Sequence, residues 1–171
     1  MKHNYALSYK RVLLRPLEEK DIEELRVLRN KNQQYFNSTA EITPEQQKAW
    51  FKRYLEKDDD CMFAVELVSK PGVFIGAVAF YDINWEAGTA EGGRTVIDKE
   101  RAPEKGIGVE LSATCLQIAY GQMGLKETYC YVHKDNERAI KMNQHTGYQI
   151  VGERGNEWRM TLPADKVILL D

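Results

Sequence analysis

The chain has 171 residues, with 24 Lys and Arg against 26 Asp and Glu for a formal net charge of −2. That length predicts one domain over residues 1–171, and a composition 43% apolar and 29% charged supplies a core without disulfide staples. The near-neutral balance excludes the basic face that nucleic-acid binding requires, and the longest nearly uncharged apolar stretch, residues 73–81, is far short of the ~20 residues of a membrane span.

In chain order, residues 12–14 lead into Arg15-Pro16, a first strand ended by proline. Residues 21–29 follow with Ile22, Leu25 and Leu28 at helical spacing, and residues 31–42 form a polar loop. Thr43-Pro44-Glu45-Gln46 is a helix start: the Thr43 hydroxyl accepts from the amide three residues on, Pro44 suits the first helical position, and Gln46 reaches back. This helix is predicted to run to about Leu55. Residues 62–67 and 73–81 read as a hairpin about Lys70-Pro71-Gly72. Residues 89–97 make a third strand, in which Gly92-Gly93 marks a bulge or a close backbone approach. Residues 106–122 carry Ile107, Leu111, Cys115 and Ile118 on one helical face, with Gly124 as a stop. A buried strand is expected at 128–132, a helix capped by Asp135 or Asn136 up to Thr146, and a last hairpin from 148–152 and 158–162. The order predicts an α/β domain built on one mixed sheet rather than a regular βαβ array.

The start, Met1-Lys2-His3-Asn4-Tyr5, lacks the apolar core of a secretory signal. Cys61, Cys115 and Cys130 are an odd count without a C-x-x-C pair, so neither a disulfide framework nor a metal site is expected. The default expectation is a cytoplasmic domain.

The most informative stretch runs from Thr95-Val96-Ile97 through Arg101-Ala102-Pro103-Glu104-Lys105-Gly106-Ile107-Gly108-Val109-Glu110-Leu111. A strand leads through a turn into a helix that opens on two glycines. Amides at a helix N-terminus have no partner within the helix and form an anion site. Glycine at 106 and 108 removes the side chains that would hold a diphosphate off those amides, and Lys105 adds a positive charge. The same glycines also suit a tight turn with no ligand, so the residues alone leave both readings open. The spacing is not a Walker loop, nor a dinucleotide fingerprint, since Leu111 stands where a third glycine belongs.

A second constellation is Asn136-Glu137-Arg138-Ala139, followed by Gly147-Tyr148. With the hairpin and Ala90-Glu91-Gly92-Gly93 between them, the two segments resemble the GNAT superfamily of acyl-CoA N-acyltransferases. The likeness is to the branch acetylating ribosomal-protein N-termini, polyamines and amino sugars, and it runs from Arg11 to Leu162. It implies a single mixed, mostly antiparallel sheet flanked by helices, with a splayed pair of central strands, and acetyl-CoA as co-substrate without a metal. It implies a small-molecule amine or a protein N-terminus as acceptor, and dimers are frequent in the branch, so a homodimer is an expectation.

The family's phosphate loop, [QR]-x-x-G-x-[GA], falls on Gly106 and Gly108, so Ile107 and Val109 would border the diphosphate. Pro103 stands where Gln or Arg is usual, which leaves Lys105 or Arg101 to supply the charge. Asn136 would touch the pantetheine arm, and the backbone of Arg94, Thr95 and Val96 would line it. Glu91 is the implied base for the attacking amine, with His133 and Asp82 as weaker alternatives. Relatives often place a Tyr general acid seven residues after the Asn, where this chain has Asn143. A carboxamide gives no proton but can hydrogen-bond the sulfur. A thiolate of pKa ~8.5 leaving near pH 7 forfeits only about 2 kcal/mol of later protonation. Arg29, Asn30, Gln47 and Trp50 are candidates to line the acceptor site, with Trp50 equally a core or rim aromatic. Pro103 and Asn143 motivate an alternative, a non-catalytic acyl-CoA-binding or regulatory domain.

Overall fold

In the computed structural model, which describes residues 2–36 and 40–168, the strands join in one sheet of order β1-β2-β3-β4-β5-β6-β8-β7. They are β1 (Leu7–Tyr9), β2 (Val12–Pro16), β3 (Cys61–Leu67), β4 (Gly76–Asn84), β5 (Thr89–Ile97), β6 (Glu127–His133), β7 (Gln149–Arg154) and β8 (Glu157–Pro163). The helices are α1 (Ile22–Lys31), α2 (Pro44–Glu56), α3 (Ile107–Gln117) and α4 (Glu137–Thr146). All neighbouring strands are antiparallel except β5 and β6, which run parallel. This is the mixed, mostly antiparallel sheet that the sequence predicts.

The β5–β6 ladder is short. It holds only Thr89↔Glu127, Ala90↔Thr128 and Glu91↔Tyr129, although β5 continues to Ile97 and β6 to His133. Past Glu91 the strands part, and the edge of β5 that faces β6 has no strand partner.

Each face of the sheet is covered differently. Leu25 and Leu28 of α1 and Phe51 and Tyr54 of α2 pack on Met62, Ala64, Ala77, Ala79 and Val96, so the apolar cover of this face ends at β5. On the other face, Ile107, Leu111 and Cys115 of α3 pack on Val12, Leu14, Phe63, Val65, Val78 and Phe80. On that same side, α4 lies over Val132, Met160 and Leu162. Removing such side chains from water at about 25 cal/mol per Å² is the main force holding each layer. Arg15 joins the layers by charge. Its guanidinium donates to Glu66 at 2.6 Å and to Asp21 at 2.7 and 2.8 Å, so two buried carboxylates at the start of α1 and on β3 share one cation.

The α2 start forms as predicted: Gln46 N donates to the Thr43 hydroxyl at 3.2 Å, and Thr43 N donates to the Gln46 side chain at 2.9 Å. Three elements differ from expectation. β1 is short and half polar, so no periodicity announces it. β4 begins at Gly76 rather than at 73, because residues 70–72 turn and Ile75 N bonds back to Val65 O. The α3 segment widens after Gln117 into a π-type turn over Ile118–Gln122, in which Met123 N donates to Ile118 O. The loop expected over 31–42, in which the sequence allows helical turns, takes up just after the last residue of α1, Lys31, and holds a short 3₁₀ turn, Gln33–Tyr35, while residues 37–39 lie outside the described residues.

Candidate active site

β5 carries the irregularity on which the site is built. Ala79 pairs with Gly93 and Ala77 with Val96, so Val78 alone opposes Arg94 and Thr95. This is a β-bulge, with Arg94 at φ 53°, one step beyond the two glycines. Gly93 serves close approach: a Cβ there would sit 2.8 Å from the Tyr81 hydroxyl.

That hydroxyl donates to Glu91 Oε1 at 2.8 Å, Tyr81 and Glu91 being directly paired across β4 and β5. Burial, and then the neighbouring Glu91 carboxylate, hold the phenol protonated well above its ordinary range. The Arg94 guanidinium stacks 4.0 Å from the same ring and donates to buried Asp60 at 2.8 Å. Glu91 is thus a half-buried carboxylate with one fixed donor, and it is the last β5 residue paired to β6. Val96 turns its side chain into the core beneath α1 and α2, whereas Thr95 is exposed.

At the start of α3, Gly106 adopts φ 91°, a conformation suited to glycine, and accepts from Val109 N and Glu110 N at 3.1 Å each. Among the described residues the amides of Ile107 and Gly108 have no main-chain acceptor. A Cβ at Gly108 would meet only Met142 Sδ at 3.8 Å, so the space over these amides is open. The loop is tied down by Arg11, which donates to the Lys105 carbonyl at 3.0 Å and to both oxygens of Glu110 at 2.6–3.2 Å. Lys105 itself is exposed. Arg101 is engaged elsewhere: its guanidinium donates to Glu24 and, at 2.8 Å, to the Phe74 carbonyl.

Asn136 caps α4, its side-chain oxygen accepting from Ala139 N at 3.2 Å, so N-x-x-A is first of all a helix start. Asn143, on α4, points its amide at Cys130 Sγ (3.4 Å) and Met160 Sδ (3.8 Å). Burial pushes the Cys130 thiol up to about 12, so it stays protonated beside that amide.

On the α1–α2 side, Arg29 lies 4.6 Å over the Phe36 ring. Asn30 uses both ends of its carboxamide on Ile42, donating at 2.9 Å and accepting at 2.9 Å, and so fixes the loop rather than presenting a free group. Trp50 stacks on Tyr54 at 5.5 Å along the rim of the core. The Glu91 face continues across β6 and β8 through Tyr129, Tyr131 and Arg159, because Glu91 pairs with Tyr129 and Tyr131 with Arg159.

Sequence reasoning missed Tyr81, Arg11 and Arg159. Tyr81 carries no motif and is found only through strand register, and Arg11 is separated from its partner Glu110 by 99 positions. No helix among the described residues is long and apolar enough to cross a membrane, and no group of His, Cys, Asp and Glu among them is placed to hold a metal.

The family model described as an acetyltransferase (GNAT) domain matches residues 11–149. Among solved structures, apo FdhC, a nucleotide-linked sugar GNAT, superposes with a TM-score of 0.85 at 20% identity, over 96% of this chain and 93% of that one. The spermidine N-acetyltransferase of Vibrio cholerae, in complex with CoA and spermine, gives 0.79 at 22% identity over 91% and 97%. A dodecameric form of the Vibrio cholerae enzyme gives 0.76 at 22% identity over 91% and 95%. Those likenesses speak for the fold, and the match over residues 11–149 speaks for descent: this chain belongs to the GNAT acetyltransferase family and is an acetyl-transferring enzyme.

Proposed function

We propose that this enzyme transfers an acetyl group from acetyl-CoA to a primary amine by direct attack, with Glu91 as the base. The observation that carries the reading is the parting of β5 from β6 just beyond Glu91, beside the open amides of Ile107 and Gly108. Acetyl-CoA brings the activated thioester; the chain's own residues do the rest. The Ile107 and Gly108 amides, with Lys105 nearby, receive the diphosphate at a helix N-terminus with no β-carbon in the way. The free edge of β5 at Arg94, Thr95 and Val96, with Asn136 across the gap, receives the pantetheine arm.

A free alkyl amine titrates near ~10 and is almost wholly protonated at neutral pH, so it must lose a proton before it attacks. Glu91 is positioned by Tyr81 to take that proton, directly or through water. Main-chain N–H groups released from the ladder at the bulge can stabilise the negative charge that develops on the carbonyl oxygen. Asn143 has no proton to give and its amide is aimed at Cys130 and Met160, so the sulfur leaves as a thiolate that solvent protonates later. A nucleotide-linked sugar and spermidine, named for two structural neighbours, define the range of acceptors to try.

The test is release of free thiol from acetyl-CoA across a panel of amino sugars, polyamines and peptide N-termini. Release is expected with at least one class. Glu91→Gln is expected to lower turnover by about 10²–10⁴ near neutral pH, the deficit narrowing as pH nears the amine's own pKa of ~10. CoA binding without thiol release for any amine would favour a non-catalytic acyl-CoA-binding role.

A further inference from the structure

Among the described residues, two arginines on the Glu91 face lack counter-ions. The Nε atom of Arg29 is buried and has no hydrogen-bond partner. Its guanidinium has an aromatic ring on one side and forms no ion pair among the described residues. The charge acting on it is another cation, Arg94, and this repulsion adds to burial in pushing the Arg29 pKa below its ordinary value. Arg94 is already matched by Asp60, although one oxygen of Asp60 is itself buried without a partner.

Arg159 repeats the pattern on the far side of Glu91. Its Nε is buried without a partner among the described residues, and its guanidinium lies 4.8 Å over the ring of Tyr129, the residue paired with Glu91. The neighbouring Arg154 is neutralised by Glu157 at 2.9 Å, so the deficit belongs to Arg159. The carboxylates on this face are engaged elsewhere or lie at its edge: Glu91 bonds Tyr81, Asp60 takes Arg94, Glu157 takes Arg154, and the exposed Asp82 stands at the outer end of β4.

Buried polar atoms are normally hydrogen-bonded, and the exceptions need an explanation. Both side chains are only half-buried, and a guanidinium without a counter-ion offers a planar two-pronged fork that matches a carboxylate or a phosphate. Aromatic rings under both arginines hold those forks in place without neutralising them.

We infer that the acceptor of this enzyme carries an oxyanion, a carboxylate or a phosphate, in addition to its amine, and that Arg29 and Arg159 are the side chains that recognise it. The inference rests on the acetyl-transfer reading and narrows its acceptor. A polyamine would bring only positive charge to a face that already has two cations unmatched, while an anion-bearing amine brings the missing negative charge.

The experiment measures thiol release with matched acceptors. One pair is an amino sugar and its phosphate ester, a second is a dipeptide and its C-terminal amide, and spermidine is run alongside. The wild-type enzyme is expected to favour the anionic member of at least one pair in kcat/KM by roughly 10–150-fold, the range set by one charged hydrogen-bonded contact. The pair that responds tells phosphate from carboxylate. In Arg29→Ala and in Arg159→Ala that ratio is expected to collapse towards one, through KM rather than kcat, with Arg29→Lys restoring part of it. CoA binding by calorimetry checks that each variant is folded. Preference for spermidine or for the neutral members, or a ratio that survives both alanine variants, overturns the inference while leaving acetyl transfer intact. Absence of thiol release with every amine would instead remove the reading on which it rests.

Discussion

Replacing Gly93 with Ala puts a methyl carbon 2.8 Å from the Tyr81 hydroxyl, while Cε1 and Cζ of that ring stand at 3.4 and 3.5 Å. Comfortable carbon contacts begin at ~3.5 Å, so the hydroxyl alone must retreat, by about 0.7 Å. It has little room to do so, with Arg94 stacked 4.0 Å away and Glu91 bonded at 2.8 Å. The retreat stretches a hydrogen bond to a charged acceptor, a class worth about 1.5–3 kcal/mol. Gly93→Ala is therefore expected to cost about 1–2 kcal/mol, lowering Tm by roughly 2–8 °C, and to lower kcat/KM about tenfold if Glu91 must be held to act. Backbone strain plays no part, since Gly93 is outside the left-handed region. Tyr81→Phe removes the offending oxygen. In that background Gly93→Ala is expected to be neutral within about 0.5 kcal/mol, or slightly favourable through the loss of unfolded-chain entropy. Urea denaturation and kcat/KM on the four proteins of this cycle give the coupling directly. Two effects that simply add would show that the Tyr81 hydroxyl does not lie over Gly93, and the positioning of Glu91 would lose its basis.

The cradle at α3 and the buried thiols give two further tests. Gly108→Glu fills and negatively charges an opening where a Cβ meets only Met142, so CoA affinity is expected to disappear in a chain that still melts cooperatively; calorimetric titration with CoA checks it, and unchanged affinity would put the diphosphate elsewhere. Burial raises Cys61 from 9.0 to about 11 and Cys115 and Cys130 to about 12. A raised folded pKa means that the unfolded chain ionises first, so this contribution is complete below about pH 9 and is lost as pH climbs towards 12. The urea midpoint is expected to fall over that window, and alkylation at pH 8 to be negligible until the protein unfolds; native thiols reacting at the unfolded rate would contradict it.

What the sequence could disclose depended on how local the physics was. The Thr43–Gln46 capping box, the Gly147 stop of α4 and the turn before α3 each involve a few adjacent residues and were legible. Gly92-Gly93 announced an irregular strand, but which residue would bulge depends on register against β4, and that falls on Arg94–Thr95. The Tyr81–Glu91 bond follows from the same register, so the proposed base was named without the residue that orients it. Asn30 and Arg101 looked like free polar groups in the sequence. Folding brings Ile42 to the first and Glu24 with the Phe74 carbonyl to the second, and their donors are used there. Arg159 was invisible for the opposite reason, because a partner's absence is a property of the folded face.

The placement of the chemistry follows from the one parallel pair in the sheet. β5 and β6 run side by side in the same direction, pair through Glu91 and Tyr129, and then diverge, so both C-terminal ends lie at the mouth of the wedge. Each strand then leads through a loop to a helix, β5 to α3 and β6 to α4, so the N-termini of both helices belong to that mouth. Crevices beyond the carboxyl ends of parallel strands are where α/β folds bind ligands, and helix N-termini are where they bind anions. α3 and α4 occupy one face of the sheet, whereas Glu91, Tyr81, Arg29 and Arg159 belong to the other. On the proposed reading, a donor held by the helix ends and an acceptor whose oxyanion is held by the arginines can meet only where the sheet is open between them. The narrowest point of that opening is the last paired residue, Glu91, which is where the proposed reading needs its base; the same carboxylate two residues earlier, inside the ladder, would not reach the opening.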